Sequence, residues 1–269
     1  MILGIDIGGT TTDIVGFKNG KIIRPLTIKA DDPITSAAGA LGKYTDQNKF
    51  KLSDIKTIGI TGVGSSYIES GILGIPVQKV DEFISIGHGG KFLSGINKAI
   101  VVSMGTGTAI VQVDDGKISH WGGSGVGGGT LVGLAKKILN TTDIEIITGK
   151  AKKGSLGKVD LTVGDIVNGS INTLPSTVTA SNFGKSLDDA SENDFAIAII
   201  NLVCQTIGII AISAARATNN NNIILTGKLA ILPQAKAIFT GVGKLYNKKF
   251  HIPDYSEYST AIGAAVSVF

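Results

Sequence analysis

Two short turns rich in glycine and threonine carry residue types suited to binding phosphate. Their residues are Gly8, Gly9, Thr10 and Thr11 in the first turn and Gly105, Thr106, Gly107 and Thr108 in the second. Because these side chains are small, backbone N–H groups and threonine hydroxyls can approach phosphate oxygens closely. A single turn of this kind also fits an ordinary hairpin. Two of them, each between strand-like apolar runs, predict a nucleotide site.

A carboxylate immediately precedes the first turn. Asp6 lies near the end of the apolar run 2–7. Since Mg²⁺ is bound in proteins by a few carboxylates and several waters, Asp6 is a candidate ligand for Mg²⁺ against the phosphates. The alternative is that Asp6 only caps its own backbone.

Two further glycine clusters lie at predicted starts of helices. The segment 122–129 feeds a helix, so Gly127, Gly128 and Gly129 are expected to offer N–H groups to an anion or a ribose. The alternative is a flexible hinge. In ILTGKLA, residues 224–230, Gly227 lies at a strand-to-helix turn and would let a flat base lie against the backbone.

Composition excludes several function classes. The net charge of the 269 residues is +4, and lysines and arginines form no run longer than a pair, which predicts no dedicated nucleic-acid surface. The lone Cys204 cannot form an internal disulfide or a cysteine-rich metal site, so a reducing cytoplasm is expected. The chain also begins with a strand pattern and no basic segment, which argues against a signal peptide.

Hydrophobic periodicity and turn signals predict an α/β chain. Predicted strands span 2–7, 12–17, 21–27, 57–61, 76–80, 99–103, 108–113, 117–121 and 222–226. Predicted helices span 33–45, 82–95, 130–139, 192–218 and 260–268. Lys18-Asn19-Gly20 and Asp114-Asp115-Gly116 are predicted hairpin turns.

An internal repeat and one apolar segment bear on the organisation. LGIDIGGTTTDIVGF and VVSMGTGTAIVQV share the order strand, small-residue turn, strand, which predicts two similar halves facing each other across a cleft. The segment 196–215 has no charged residue and is long enough to cross a bilayer. We expect it to be buried between domains or at a subunit interface, with a membrane span as the alternative.

The order of several motifs resembles that of type II pantothenate kinases, in the acetate and sugar kinase, Hsp70 and actin superfamily. These motifs are GIDIGGT, VDEF, MGTGT, GVGGGTLVGL, TASNFG, ILTGKLA and STAIGAA, and they cover nearly the whole chain. The resemblance implies an actin-like (ribonuclease H-like) fold of duplicated domains, 1–97 and 98–269, with a central nucleotide cleft. It also implies ATP with Mg²⁺, a small-molecule substrate, and a cytoplasmic homodimer built partly on the long apolar helix, with no nucleic acid or membrane as partner.

The resemblance also suggests roles for residues near the second strand-to-helix junction. Glu82 aligns with the family's catalytic acid and would accept the proton of the substrate's primary hydroxyl. Asp81 is a candidate N-cap. The alternative for both is a plain solvated helix start. His88, further along this helix, is expected to be structural.

Two positions depart from the family pattern. Where these kinases place an arginine for the pantothenate carboxylate, this chain has His120 followed by Trp121, and we expect Thr106, His120 and Trp121 to contact the substrate. Asp13 stands near where the family carries a lysine. Both changes predict a weaker site for an anionic substrate, since a histidine cannot form the permanent bidentate pair of a guanidinium. Another cation, Lys136 or Arg216, is an alternative partner for the carboxylate.

Three functions remain open from the sequence. The first is an ATP-dependent kinase acting on pantothenate or a close relative such as pantetheine, in coenzyme A biosynthesis. The second is a related small-molecule kinase with a different alcohol substrate. The third is a nucleotide-binding regulatory or activator ATPase. Dehydratase activators of this superfamily carry cysteines for an iron–sulfur cluster, and Cys204 with its symmetry mate would provide two ligands where a cluster needs about four.

Overall fold

The computed structural model describes residues 1–18, 20–29, 31–167 and 174–269. The predicted hairpin turn at Lys18-Asn19-Gly20 includes Asn19, which lies outside the described residues. The first part of the chain contains β1 (Ile2–Ile7), β2 (Thr11–Lys18), β3 (Lys21–Lys29), α1 (Pro33–Asn48), β4 (Thr57–Thr61), β5 (Gly71–Ile72), β6 (Ile75–Lys79) and α2 (Glu82–Ser94). The second part contains β7 (Lys98–Met104), β8 (Thr108–Asp114), β9 (Lys117–Ser124), α3 (Gly128–Ile138), α4 (Ile144–Ala151), β10 (Leu161–Thr162), α5 (Val163–Ile166), β11 (Thr179–Ser181), α6 (Glu192–Ala217), β12 (Asn222–Thr226), α7 (Ala235–Tyr246), β13 (Lys249–His251) and α8 (Ser259–Val266).

The two large sheets have the same topology. Their strand orders are β3-β2-β1-β4-β6-β5 and β13-β12-β7-β8-β9. In each sheet the first three strands form an antiparallel meander, and two further strands add in parallel beside the first. The first sheet also has a short antiparallel edge strand, β5, which the second sheet lacks among the described residues. Strands β1 and β7 are therefore equivalent, and so are β4 and β12. The internal repeat predicted from the sequence is a duplication of the fold.

A turn at the end of the first parallel strand is also duplicated. Strand β4 ends at Thr61 and strand β12 ends at Thr226, and each is followed by a glycine, Gly62 or Gly227, with a φ value of +84° or +86° respectively. A Cβ atom on Gly62 would lie 2.6 Å from the carbonyl oxygen of Ile7, and one on Gly227 would lie 2.5 Å from that of Met104. Both the left-handed backbone and the close approach therefore require glycine.

Helices α2 and α8 pack between the two sheets. Ile86 of α2 lies in a buried cluster with Val101 and Val111 of the second sheet. Helix α8 covers the first sheet, where a side chain on Gly4 would overlap the backbone of α8. The two helices contact each other through glycines such as Gly263, which allow close backbone approach. Each half therefore rests on a helix from the other, and the domain division at 97/98 stays a prediction.

Helix α6 is the core helix of the second half. By length and composition it is apolar enough to cross a membrane, yet 61% of its most apolar window is buried within the structure. It packs against α3, α4 and α7 and against the second sheet. Asp194 fixes its start, because its carboxylate accepts hydrogen bonds from the backbone of Ser191 and Ser155. The predicted burial of the segment is confirmed, but elements of its own half cover it rather than the other domain, and a place at a subunit interface stays a prediction.

Three described helices were not predicted, the short helix α5 among them, and several element boundaries differ from the predicted ones. Helix α4 and helix α7 lie in segments without a predicted helix. Glycines weaken the helical signal of α7, but Gly243 is needed where α7 crosses β13, because a Cβ atom there would lie 2.7 Å from the carbonyl oxygen of Lys248. The glycine-rich segment at 122 begins as strand rather than loop, since β9 continues to Ser124. Helix α3 begins at Gly128, two residues before the predicted start.

Candidate active site

A row of polar side chains crosses four strands of the first sheet. Asp6 on β1 is the cross-strand partner of Asp13 on β2 and of Thr61 on β4, and Asp13 is in turn the partner of Thr27 on β3. Cross-strand partners project to the same face of a sheet. The Thr27 hydroxyl donates to Asp13 Oδ1 at 2.5 Å. The Thr61 hydroxyl is buried and has no hydrogen-bond partner among the described residues. The register therefore places an unpaired buried hydroxyl beside Asp6.

Asp6 has a strongly perturbed carboxyl group. Its pKa is raised to about 7, mainly by burial and further by the carboxylates of Asp13 and Glu82, while Lys228 opposes the increase. Gly62 packs directly on this group, since a Cβ atom at that position would overlap the Asp6 carboxylate. Sequence reasoning placed Asp6 in the site but missed Gly62, although Thr-Gly after a strand is repeated at Thr226-Gly227.

We expect Asp6→Asn to stabilise the protein in the absence of nucleotide and divalent metal at pH 8. The pKa of Asp6 is raised from 3.8 to about 7, so the folded state binds its proton more tightly than the unfolded state. Its contribution to the free energy of unfolding therefore falls as the pH rises from about 4 to about 7, by at most about 4 kcal/mol. Urea unfolding should show Asp6→Asn more stable than the wild type at pH 8, with a much smaller difference at pH 4. A variant that is less stable at both pH values would contradict this assignment.

The first glycine–threonine turn is closed by its own backbone. The N–H of Gly8 donates to the carbonyl oxygen of Thr11 at 3.0 Å, and a Cβ atom on Gly8 would lie 2.9 Å from that oxygen. A Cβ atom on Gly9 would have no atom of the described residues within 4 Å. Gly8 is thus needed to form the turn, whereas Gly9 leaves open space in which a ligand can approach the backbone.

The second turn faces the first across the cleft. The hydroxyl oxygens of Thr10 and Thr106 lie 3.4 Å apart, although they are 96 positions apart in the sequence. Thr108 closes the second turn by donating to the carbonyl oxygen of Val126 at 2.8 Å. The space at Gly105 is open, because a Cβ atom there would lie 4.0 Å from its nearest neighbour, the carbonyl oxygen of Gly107. The structure therefore brings the two predicted phosphate turns together.

The third glycine cluster has a different role from the one predicted. The N–H of Gly128 donates to the carbonyl oxygen of Gly105 at 2.8 Å, and that of Gly129 donates to the carbonyl oxygen of Thr106 at 2.9 Å. These two N–H groups are already paired inside the protein, so the expectation that they are open donors for an anion is corrected. A Cβ atom on Gly127 would lie 2.6 Å from the Thr106 carbonyl oxygen. The cluster packs on the second turn and fixes its backbone, and direct contact of these glycines with a nucleotide stays a prediction.

The strand-to-helix turn at Gly227 brings a cation to the site. The N–H of Gly227 donates to the carbonyl oxygen of Ser256 at 2.9 Å. The next residue, Lys228, donates to the Thr11 hydroxyl, and its Nζ lies 3.2 Å from Asp13 Oδ1. Sequence reasoning included Gly227 but missed Lys228, and it treated Asp13 only as the loss of a positive charge.

Glu82 lies at the start of α2, beside the cleft. Asp81 caps this helix as predicted, since its carboxylate accepts from the N–H groups of Phe83 at 2.8 Å and Ile84 at 3.0 Å. Partial burial raises the pKa of Glu82, and the charge of Asp81 raises it further. Because Glu82 also acts on the pKa of Asp6, the two carboxylates share one site.

His120 lies next to the Glu82 end of α2. Its ring stacks on that of Phe83, with ring centroids 3.9 Å apart and planes inclined by 17°. A β-bulge leaves Trp121 without a partner on β8, between the paired residues His120 and Gly122, and 38% of Trp121 is exposed. Two of the three predicted substrate residues, His120 and Trp121, are thus at the same edge as the predicted base, and the third, Thr106, lies in the second turn. His88 instead contacts the Ser267 hydroxyl at 2.7 Å, between α2 and the C-terminal segment, in agreement with a structural role.

The TASNFG motif surrounds a buried carboxylate that sequence reasoning did not single out. Asp160 is fully buried and accepts hydrogen bonds from the side chains of Thr179, Asn182 and Asn201 and from the N–H of Phe183. Asn201 comes from α6, so the motif ties its loop to the core helix. The polar residues of this motif therefore stabilise the fold. The motif itself contains no signal for Asp160, the distant residue with which they pair.

Comparison with known proteins decides the family. A family model described as Fumble matches residues 98–264. The type II pantothenate kinase of Bacillus cereus is 31% identical to this chain over 97% of the chain and 96% of the relative. The chain belongs to the type II pantothenate kinase family. The type II pantothenate kinase of Oceanobacillus iheyensis is 29% identical over 84% of this chain and 83% of that protein.

Solved structures establish the fold. The activator of the 2-hydroxyisocaproyl-CoA dehydratase from Clostridium difficile, with bound ADPNP, superposes with a TM-score of 0.71 at 18% identity and covers 99% of this chain and 93% of its own. A ROK family glucokinase from Streptomyces griseus, in complex with glucose and AMPPNP, superposes with a TM-score of 0.65 at 13% identity, over 99% and 98% of the two chains. This type II pantothenate kinase family member therefore has the actin-like fold of duplicated halves.

Proposed function

We propose that this protein is an ATP-dependent kinase that phosphorylates the primary hydroxyl of pantothenate, in coenzyme A biosynthesis. The observation that carries the proposal is the meeting of the two glycine–threonine turns at Thr10 and Thr106, beside the carboxylates of Asp6 and Glu82. Phosphoryl transfer needs phosphate positioning, charge neutralisation and a proton acceptor. The two turns fit the positioning of phosphate, and a carboxylate fits the proton acceptor. Family membership supports the same reaction.

The chain's own residues suit Mg²⁺. Asp6 is a carboxylate at the cleft, and the unpaired buried hydroxyl of Thr61 lies in the neighbouring strand at the same register position. Mg²⁺ prefers oxygen ligands and is bound through one or two carboxylates together with substrate phosphates. When bound, Mg²⁺ would neutralise phosphate charge, with Asp6 holding it directly or through a water.

Glu82 is the proposed proton acceptor for the substrate hydroxyl. Burial and the charge of Asp81 raise its pKa above the ordinary glutamate value, which makes the carboxylate a stronger base. The backbone N–H groups and hydroxyls of the two turns would bind and orient the ATP phosphates. His120 and Trp121 would contact the far end of the acceptor, because His120 stacks on Phe83, the residue that follows Glu82, and Trp121 is the next residue of β9.

A thermal-shift and ADP-release screen tests the proposed function. The wild type should be stabilised by ATP with Mg²⁺ and should release ADP when pantothenate or pantetheine is added, since a ligand that binds the native state raises apparent stability. ADP release that is independent of every acceptor would instead favour an activator-type ATPase, the alternative suggested by the likeness to the Clostridium difficile activator. Release only with another alcohol would favour a related kinase. If ATP neither stabilises the protein nor is consumed by it, the result would contradict all three functions.

We expect His120 to relax the requirement for a carboxylate on the substrate. The other candidate cations have partners in the second half, since Arg216 stacks on Tyr246 at 5.1 Å and Lys136 donates to Asn140 at 3.3 Å. The wild type should therefore use pantetheine about as well as pantothenate. His120→Arg should raise the kcat/KM preference for pantothenate by about tenfold or more, the value of one charge-assisted hydrogen bond. A strong wild-type preference for pantothenate that the substitution leaves unchanged would contradict this prediction.

Cytoplasmic location and a homodimer are further parts of the proposal. Helix α6 is already covered largely by its own chain, so its apolar residues do not by themselves require a second subunit. Light scattering of the purified protein would give the mass in solution directly. A mass of twice the 27.7 kDa chain would support a homodimer, and a mass of 27.7 kDa would exclude it.

A further inference from the structure

Lys228 reaches the first phosphate turn from the opposite half of the molecule. Its ammonium group donates to the hydroxyl of Thr11, in that turn, and lies 3.2 Å from Asp13 Oδ1. Lys228 and Asp13 are 215 positions apart in the sequence, and only the duplicated fold brings them together. A positive charge therefore lies where the turn offers its hydroxyl to a ligand.

The surroundings hold this ammonium group in place but leave it open to a ligand. The Asp13 side chain is only 9% exposed and is anchored by the Thr27 hydroxyl, whereas the Lys228 side chain is 40% exposed. An ammonium group has three N–H donors, and its hydrogen bonds to described residues use two of them. One donor and an exposed surface thus remain for a phosphate oxygen.

The position of Lys228 is set by the duplicated Thr-Gly turn. Gly227 can adopt its left-handed backbone and its close packing on Met104 only as a glycine, and the next residue is directed towards the first half. The equivalent residue of the first half is Val63, which is uncharged. One copy of the turn therefore carries a cation and the other does not.

The charge balance of the cleft favours such a cation in addition to Mg²⁺. Asp6, Asp13 and Glu82 are three carboxylates in one site, and the phosphates of ATP add further negative charge. Asp13 also stands near where the family pattern has a lysine. We propose that Lys228 binds the phosphate groups of ATP during transfer and that Asp13 and Thr11 hold it there as positioning residues. This proposal rests on the proposed kinase function.

Four variants test the role of Lys228 through ATP affinity and turnover. Lys228→Met removes the charge and keeps the length, and Lys228→Arg keeps the charge. The double variant Lys228→Met with Asp13→Lys places a lysine on β2 instead. Its ammonium group would lie near the site, because Asp13 Oδ1 is 3.2 Å from the Nζ of Lys228 in the wild type. Lys236→Met, on the exposed face of α7, is the matched control. Each variant is first checked for folding by thermal melting, and Lys228→Gln replaces Lys228→Met if the latter unfolds early.

Direct ATP titration with Mg²⁺ should show a ten- to hundredfold loss of affinity in Lys228→Met, the usual value of a charge-assisted hydrogen bond. Lys228→Arg should lose less, Lys236→Met should bind as the wild type does, and the double variant should recover at least about tenfold over Lys228→Met. The same order is expected for kcat/KM with respect to ATP. A folded Lys228→Met that binds ATP normally would overturn the proposal, and so would a double variant with no recovery. If the wild type binds ATP but does not phosphorylate pantothenate, the proposed function fails, while the ATP affinities still decide the role of Lys228.

Discussion

Glu82→Gln is expected to lower kcat at least about 100-fold while changing ATP affinity no more than about threefold. The substitution keeps the shape of the side chain but removes the group that accepts the hydroxyl proton. Glu82 lies at the first position of α2, and the Asp81 cap that fixes this helix is unaffected. Initial rates with saturating ATP and pantothenate, together with ATP titration, separate the chemical step from binding.

The pH profile gives a second readout of the same prediction. Because partial burial raises the pKa of Glu82 above 4.5, the wild-type rate should fall on acidification with an apparent pKa above that value, as the base becomes protonated. Glu82→Gln should lack this acid limb. Glu145→Gln is a matched control, because Glu145 also lies in the first turn of a helix, α4, and also follows an aspartate N-cap, Asp143. Near-normal turnover in Glu82→Gln would assign the proton transfer to another residue.

Gly105→Val is expected to weaken ATP binding at least about 100-fold, equivalent to about 2.7 kcal/mol, and to leave the fold intact. The nearest protein atom to a Cβ at this position is 4.0 Å away, so the substitution fills space meant for a ligand rather than disturbing the core. Gly9→Val, in the equally open part of the first turn, should behave in the same way. Gly8 is a poorer test, because its side chain would press on the Thr11 carbonyl oxygen at 2.9 Å and deform the turn itself.

The control for this experiment is Gly241→Val, on the exposed part of α7. A Cβ atom there also meets no atom of the described residues within 4 Å. It should bind ATP as the wild type does, while melting curves confirm that all three variants remain folded. Retention of wild-type ATP affinity in both Gly9→Val and Gly105→Val would remove the phosphate site from these turns.

The local features of the site could be predicted from the sequence. The strands flanking each glycine–threonine turn have the expected type because short apolar runs and small turn residues are signals that act over a few positions. The Asp81 cap follows from the same kind of short-range rule, since its acceptor serves N–H groups two and three residues away. The burial of α6 was expected from its apolar composition.

The remaining features depend on contacts between distant segments. The N–H groups of Gly128 and Gly129 are paired with Gly105 and Thr106, and nothing in the glycine-rich segment itself reveals those acceptors. Lys228 meets Asp13 only because the two halves face each other. Asp160 likewise gains its partners from the TASNFG loop and from α6. Pairing across more than twenty positions is a property of the topology, so short-range patterns do not contain it.

Product analysis after incubation with ATP, Mg²⁺ and pantothenate tests the central claim most directly. The purified wild type should form ADP and a singly phosphorylated pantothenate in equal amounts, observed by ³¹P NMR and mass spectrometry, and Glu82→Gln should form at least about 100-fold less of both per unit time. ADP formed without phosphorylated pantothenate, or no phosphorylated product at all from protein that binds ATP, would contradict the account.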